Sequence, residues 1–133
     1  MSEGEIHYTL CRNSENVLKF VETFTEGNMT YIVTKLAQGG DLLDYLHNRS
    51  EPSLSEDEAR HMFLQLVHGV GEMHLRGIVH RDLKHGNIFI YGDTAKPKVQ
   101  IGDFGLACKL SPSENYQIQK KSGTPGFMAP EVI

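Results

Sequence analysis

His80-Arg81-Asp82-Leu83-Lys84-His85-Gly86-Asn87 follows the apolar pair Ile78-Val79 and runs straight into Ile88-Phe89-Ile90. Sixteen residues beyond Asn87 stands Asp103-Phe104-Gly105, again after a short apolar run, Val99-Gln100-Ile101. Singly, these residues say little. A lone His80 reads as a satisfied core histidine, Asp82 as a turn residue, and Asp-Phe-Gly as a common tripeptide. Their order and spacing decide the matter, because each polar group is carried at the end of a short strand.

Outward from that centre, the pattern upstream is helical. Ser55 and Glu58 form a capping box, and Ala59, Met62, Phe63, Leu66, Val70 and Met73 recur every three or four residues up to Gly77. The spacing predicts an amphipathic helix over 55–76, with Met62, Phe63, Leu66 and Val70 inward. Asp41 heads a second, shorter helix through Leu46. Residues 17–24 and 29–36 read as two strands joined by a turn at Glu26-Gly27-Asn28, a hairpin. The first dozen residues read as the continuation of a helix that Glu15-Asn16 ends. Gly92-Asp93 and Pro97 mark a turn between the strands at 88–90 and 99–101. Residues 105–130 are only weakly periodic, and an irregular stretch of that length is usually functional or mobile.

Composition narrows the class. The 133 residues are 39% apolar and 23% charged, an ordinary globular balance. No apolar run reaches the length a membrane helix needs. Met1 is followed by no basic and then apolar stretch, so no secretory signal is expected. Thirteen Lys+Arg against 17 Asp+Glu give a net charge of −4, the wrong sign for gripping a nucleic-acid backbone across the surface. Cys11 and Cys108 show no C-x-x-C pairing, which reads as two free thiols in a reducing compartment, cytoplasmic or nuclear. The seven histidines and two cysteines show no metal-ligand spacing, so a metal or redox protein has no support.

The ordered set, completed by Gly123-Thr124-Pro125-Gly126-Phe127-Met128-Ala129-Pro130-Glu131, resembles the catalytic loop, metal-binding turn and activation segment of eukaryotic protein kinases. Asp103-Phe104-Gly105-Leu106-Ala107 and the ending through Val132-Ile133 look like calcium/calmodulin-dependent or polo-type kinases. The resemblance implies a two-lobed α+β fold, present over 1–133 as part of one catalytic domain: the end of helix C, the hinge hairpin and the upper C-lobe. It also implies transfer of the ATP γ-phosphate to Ser/Thr hydroxyls of proteins, a chemistry that asks mainly for positioning and charge neutralisation. Asp82 would accept the proton of the substrate hydroxyl, and Lys84 would offset charge on the transferring oxygens. Asn87 and Asp103 offer hard oxygen ligands suited to Mg²⁺. Phe104 would fix where Asp103 points, and Gly105 would allow the turn. Lys84 and Thr124 both follow the serine/threonine pattern. Thr34 falls at the gatekeeper position, the Lys35 and Ala37 backbone at the adenine edge, Asp41 near the ribose and Phe89 under the adenine ring. Counted back from Asn16, Glu5 falls where the helix-C glutamate belongs.

The pattern is broken in places. No Gly-x-Gly-x-x-Gly occurs; Gly69-Val70-Gly71 comes nearest, inside the predicted helix. The third-strand lysine is missing too, since Lys35 stands only 45 residues before His80 and reads as a hinge residue. Glu131 has no downstream arginine to meet. These departures lead to the expectation of a partial domain, inactive in isolation, whose long helix has an apolar face with little to bury against. Lys120 stands where many kinases carry a phosphorylated threonine that pairs with the arginine corresponding to Arg81. The rival reading is a kinase-shaped binding module, a pseudokinase or truncated product; the intact Asp82, Lys84, Asn87 and Asp103 argue against it.

Overall fold

A computed structural model of the chain describes residues 1–92, 95–118 and 120–133. Helix α1 (Glu3–Cys11) starts on a capping box in which the Ser2 hydroxyl accepts the Glu5 N–H and the Glu5 carboxylate accepts the Ser2 N–H. Two backbone donors that would otherwise lack partners are thereby satisfied. Ile6, His7, Leu10 and Cys11, one stripe of the helix, are buried.

Strands β1 (Phe20–Glu26) and β2 (Met29–Thr34) form an antiparallel hairpin in which Phe24 faces Tyr31. The strand expected over 17–24 begins three residues later. Val17 and Leu18 pair instead with a residue late in the chain: the Leu18 N–H donates to the Ile101 carbonyl at 2.9 Å and the Ile101 N–H to the Asn16 carbonyl at 2.8 Å. The second strand, expected to run to Leu36, stops at Thr34. One more bond, from the Lys35 N–H to the Lys19 carbonyl, closes the ladder, and Leu36 is left 81% exposed.

Helix α2 (Leu42–His47) is capped by Asp41, whose carboxylate accepts the Asp44 N–H. Helix α3 (Glu56–Leu75) follows with the Ser55/Glu58 box expected from sequence. Arg49 adds a two-pronged ion pair to Glu58 at 2.9 and 3.1 Å. Gly77, at φ 65°, ends the helix in the left-handed region that glycine adopts without strain. Strands β3 (Ile78–Val79), β4 (Ile88–Tyr91), β5 (Lys98–Ile101) and β6 (Cys108–Lys109) and the single 3₁₀ turns His85–Asn87, Pro112–Glu114 and Pro130–Val132 complete the described elements. β4 pairs with β5 and β3 with β6, both antiparallel. The pair β3–β6 went unread in the sequence. It threads residues 105–110 back past the start of the His80 loop. Of the expected turn between β4 and β5, Asp93 lies outside the described residues.

Two apolar clusters meet along α3. One joins α1 to Val17, Met73, Ile78, Ile101 and Phe104; the other gathers Tyr45, Met62, Ile88, Ile90 and Val99, with Leu66 touching both. The inward set is therefore Met62, Leu66, Gly69, Val70 and Met73. Phe63, expected inward, is 64% exposed, and it shares a second apolar stripe with Leu64 and Val67. Successive helix positions differ by about 100°, so the stripe that meets β5 cannot also take Phe63. The expectation of a poorly covered helix thus holds for this second stripe and not for the Met62–Met73 stripe.

The two glycines of α3 behave differently. A Cβ on Gly69 would lie 2.9 Å from Ile101 Cδ1 and 3.1 Å from the Asn16 carbonyl, whereas one on Gly71 would meet nothing within 4 Å. Gly71→Ala is expected to stabilise by about 0.5–1 kcal/mol through helix propensity. Gly69→Val should cost about 1–3 kcal/mol by overpacking. Urea unfolding of the two variants measures both, and equal effects would contradict the packing described.

Candidate catalytic site

The β4–β5 hairpin brings the two diagnostic loops into contact through Gly102. Its N–H donates to the Asn87 carbonyl at 3.0 Å, and its carbonyl lies 2.9 Å from His80 Nε2. His80 Nδ1 in turn accepts the Asp82 N–H at 3.2 Å. An imidazole that donates from Nε2 and accepts at Nδ1 is the neutral tautomer. Burial, the largest influence, holds its pKa below the ordinary value despite the Gly102 carbonyl and the carboxylates of Asp103 and Asp82. His7 is also buried and lowered by desolvation, with Nε2 2.6 Å from the Leu18 carbonyl.

These histidines set a pH dependence. Each folded pKa lies below the ordinary 6.5, so the unfolded chain binds more protons once the pH falls past that value. Their contribution to stability is present above pH 6.5 and is lost on acidification through the depressed folded values. Denaturant unfolding at stepped pH should show this decline, and His7→Met should flatten part of it. An unchanged slope in that variant would contradict a neutral buried His7.

Asp82 is the hub of the loop. Its Oδ1 accepts the Thr124 hydroxyl at 2.5 Å, and its Oδ2 lies 3.2 Å from Asn87 Nδ2 and 3.7 Å from Lys84 Nζ. Lys84 Nζ also donates to Thr124 Oγ1 at 2.7 Å. Partial burial pushes the Asp82 carboxyl up, but the Thr124 hydroxyl, the Lys84 charge and the Asn87 amide together hold it below its ordinary value. Asn87 is buried and gives its amide nitrogen to Asp82, both to the carboxylate and to the main-chain carbonyl at 2.8 Å. Thr124, read in the sequence only as a marker of substrate class, is thus part of the cluster; its signal was the small hydroxyl beside Gly123.

Asp103 is exposed and carries the left-handed turn itself, at φ 56°, with Oδ1 accepting the Gly105 N–H at 3.3 Å. The turn expected of Gly105 is therefore made two residues earlier, at a residue type that tolerates this region. Phe104 is 1% exposed, its ring 4.8 Å from that of His7 and 5.3 Å from that of His80. Anchoring Phe104 between α1 and the His80 loop leaves Asp103 facing outward.

The helix carboxylate on this side is Glu3, and the assignment to Glu5 is corrected. Glu5 is exposed and caps Ser2. Glu3, exposed as well, has its pKa raised by partial desolvation and by the Asp103 carboxylate, and its Oε2 lies 3.5 Å from where a Gly105 Cβ would stand. The cause is helical phase: Glu3 precedes His7 by one turn, and His7 packs on Phe104. Counting from the buried Ile6/Leu10 stripe, instead of back from Asn16, would have found it.

The hinge residues follow the chain between β2 and α2. Thr34 ends β2, half-buried; Lys35 is exposed, and Ala37 accepts the Gly40 N–H at 3.1 Å. Asp41 caps α2 and bridges to Phe89. The Phe89 ring lies against Gly102, where a Cβ would stand 2.7 Å from it. Phe89 therefore connects the hinge to the Asp103 turn. Beside Asp82 opens a cavity of about 500 Å³, with Arg81, Leu83, Thr124, Phe127 and Met128 in its wall. Among the described residues no group of three or more His, Cys, Asp or Glu is placed to hold a metal ion. In donor chemistry Asn87 and Asp103 suit Mg²⁺, which takes amide, carboxylate and phosphate oxygens.

Known proteins repeat the pattern. The protein kinase domain family matches residues 1–133. The probable serine/threonine-protein kinase zyg-1 of Caenorhabditis elegans is 42% identical over 123 residues, covering 91% of this chain and 17% of that protein. Serine/threonine-protein kinase PLK4 of Xenopus laevis is 37% identical over 132 residues, 98% of this chain and 13% of its own length. Calcium/calmodulin-dependent protein kinase type 1 of C. elegans is 35% identical over 132 residues, 98% of this chain and 36% of its own length. The chain thus spans about an eighth to a third of the relatives it matches. A neutral His80 under the loop, Asp82 bonded to Lys84, Asn87 and Thr124, and Asp103 turned outward by a buried Phe104 agree with that match along the whole chain, which belongs to the protein kinase domain family.

Proposed function

We propose that residues 1–133 carry the catalytic floor of an ATP-dependent protein serine/threonine kinase. The observation that carries this reading is the Asp82 carboxylate, held ionised by Lys84, Asn87 and Thr124 and tied through His80 to Gly102, the residue before Asp103. In the transfer, the substrate oxygen bonds to the γ-phosphorus, the bond to the β–γ bridging oxygen breaks, and ADP carries that oxygen away. Asp82 aims the hydroxyl and takes its proton, late in the step because its basicity is low. Lys84 offsets charge on the transferring oxygens. Asn87 and Asp103 would hold Mg²⁺, which supplies charge neutralisation across the phosphates. Thr34, Lys35, Ala37, Asp41 and Phe89 would line the nucleotide's path, and Glu3, beside the Asp103 turn, would pair with a lysine that reaches the phosphates. The free thiols of Cys11 and Cys108 support a reducing, intracellular setting.

The test is a chimaera in which the glycine-rich strands of a related kinase precede residue 1 and its lower C-lobe follows residue 133. It should bind Mg-ATP and phosphorylate threonine peptides in strong preference to tyrosine peptides. Nucleotide binding without transfer would favour the kinase-shaped binding module instead.

A further inference from the structure

The guanidinium of Arg81 is engaged from two ends of one segment. Nε donates to the Leu106 carbonyl at 2.6 Å, just past the Asp103 turn, and Nη1 to the Lys120 carbonyl at 3.2 Å, just before Gly123-Thr124. Arg81 itself stands at φ 69°, a region costly for a residue with a Cβ, held where His80 on one side and Asp82 on the other are fixed by bonds. A planar fork is the side chain suited to hold two carbonyls at once; a lysine ammonium has no such geometry. The segment between those carbonyls offers no anion at its closing end: Lys120 and Lys121 are both basic. Other contacts hold the same path. The Leu110 N–H donates to the Gly77 carbonyl at 2.7 Å, and Thr124 lies on Asp82 and Lys84.

We propose that Arg81 is a positioning residue that fastens the segment from Leu106 to Thr124 over the catalytic loop through main-chain carbonyls alone, so that the Asp82–Lys84–Thr124 cluster is assembled without phosphorylation of that segment. This rests on the kinase reading for its purpose. Its geometry is independent of nucleotide and substrate. The segment contains Ser111, Ser113, Tyr116 and Ser122, yet none is required to bear a phosphate for the arrangement to form. Carbonyl oxygens, as fixed partial charges, take the place a phosphate would otherwise fill.

Hydrogen exchange on the 133-residue chain tests this, comparing phosphatase-treated and untreated protein with Arg81→Lys and Arg81→Met. The amides of Ala107 and Phe127, bonded to the Phe104 and Thr124 carbonyls, report on the two ends, and those of α3 report on the fold. Treated and untreated wild type should be equally protected at both ends. Either variant should exchange there about tenfold faster, the size expected when hydrogen bonds from a charged donor are lost, with α3 unchanged. Limited trypsin cleavage after Lys120 should accelerate in the same variants. Protection in wild type that vanishes on phosphatase treatment would overturn the proposal. So would an Arg81→Lys chain as protected as wild type, or exchange that rises equally in α3. No ATP or peptide enters these assays, so a protected segment beside a chimaera that binds Mg-ATP without transfer would count against the kinase reading alone.

Discussion

Asp82→Asn, made in the chimaera described above, lowers phosphotransfer by about 10²- to 10⁴-fold, the range a positioned acid–base group supplies, and leaves Mg-ATP affinity nearly unchanged. Asparagine fills the same space and can still meet Thr124 and Lys84, so the loop keeps its shape. What is lost is the carboxylate that aims the hydroxyl and receives its proton. Asp103→Asn has the opposite profile. The exposed carboxylate at the turn is the charged member of the proposed Mg²⁺ pair, and neutralising it removes the stronger hard ligand. Mg-ATP affinity should fall by about tenfold or more. Nucleotide titration and peptide phosphorylation separate the two, and equal loss of nucleotide binding in both variants would contradict the separate roles.

The second large effect concerns residues 1–133 expressed as they stand. Turnover should lie about a thousandfold or more below the 1–100 per second of complete kinases. In-line transfer needs the phosphate held from several sides at once. Asp82, Lys84, Asn87 and Asp103 line one side, and no Gly-x-Gly-x-x-Gly in the sequence covers the other. Glu3 makes the deficit visible. Among the described residues it has no cationic partner, and its nearest electrostatic influence is the like charge of Asp103, which raises its pKa. The exposed stripe of Phe63, Leu64 and Val67 should also favour self-association. A peptide assay on monomeric fractions gives the rate. Turnover of about 1 per second or more would show that the covering strands matter far less than argued.

Local chemistry made much of this legible. Capping residues announce helix starts because the bonds they make lie within four positions of themselves, which is why Ser55 and Asp41 were placed well. The catalytic cluster was legible for another reason: its spacing is fixed by strand ends. Long-range choices were not legible. Phe63 belongs to an apolar stripe as good as that of Met62, and only the position of β5 selects between them. Val17 and Leu18 look like strand residues and do pair, but with Ile101, more than eighty positions away. Glu5 is what counting back from Asn16 reaches, through a connection whose length sequence does not fix. The helix phase, set by Ile6 and Leu10 against the core, overrides it. Thr124 reached Asp82 through the path of a segment with almost no periodicity.

Gly102 has no side chain to contribute, yet its N–H is held by Asn87, its carbonyl by His80, and the space beside its α-carbon by the rings and methyls of Phe89 and Leu18. A saturation screen at this codon would therefore mislead a geneticist who equates intolerance with direct participation. Even alanine would shift the Phe89 ring, and the damage would surface as weaker nucleotide binding at a hinge that Gly102 never touches. A suppressor would be sought at Phe89, in a smaller residue such as leucine that yields the room. Position 102 behaves as a keystone, silent in any inventory of reactive groups and decisive for where those groups stand.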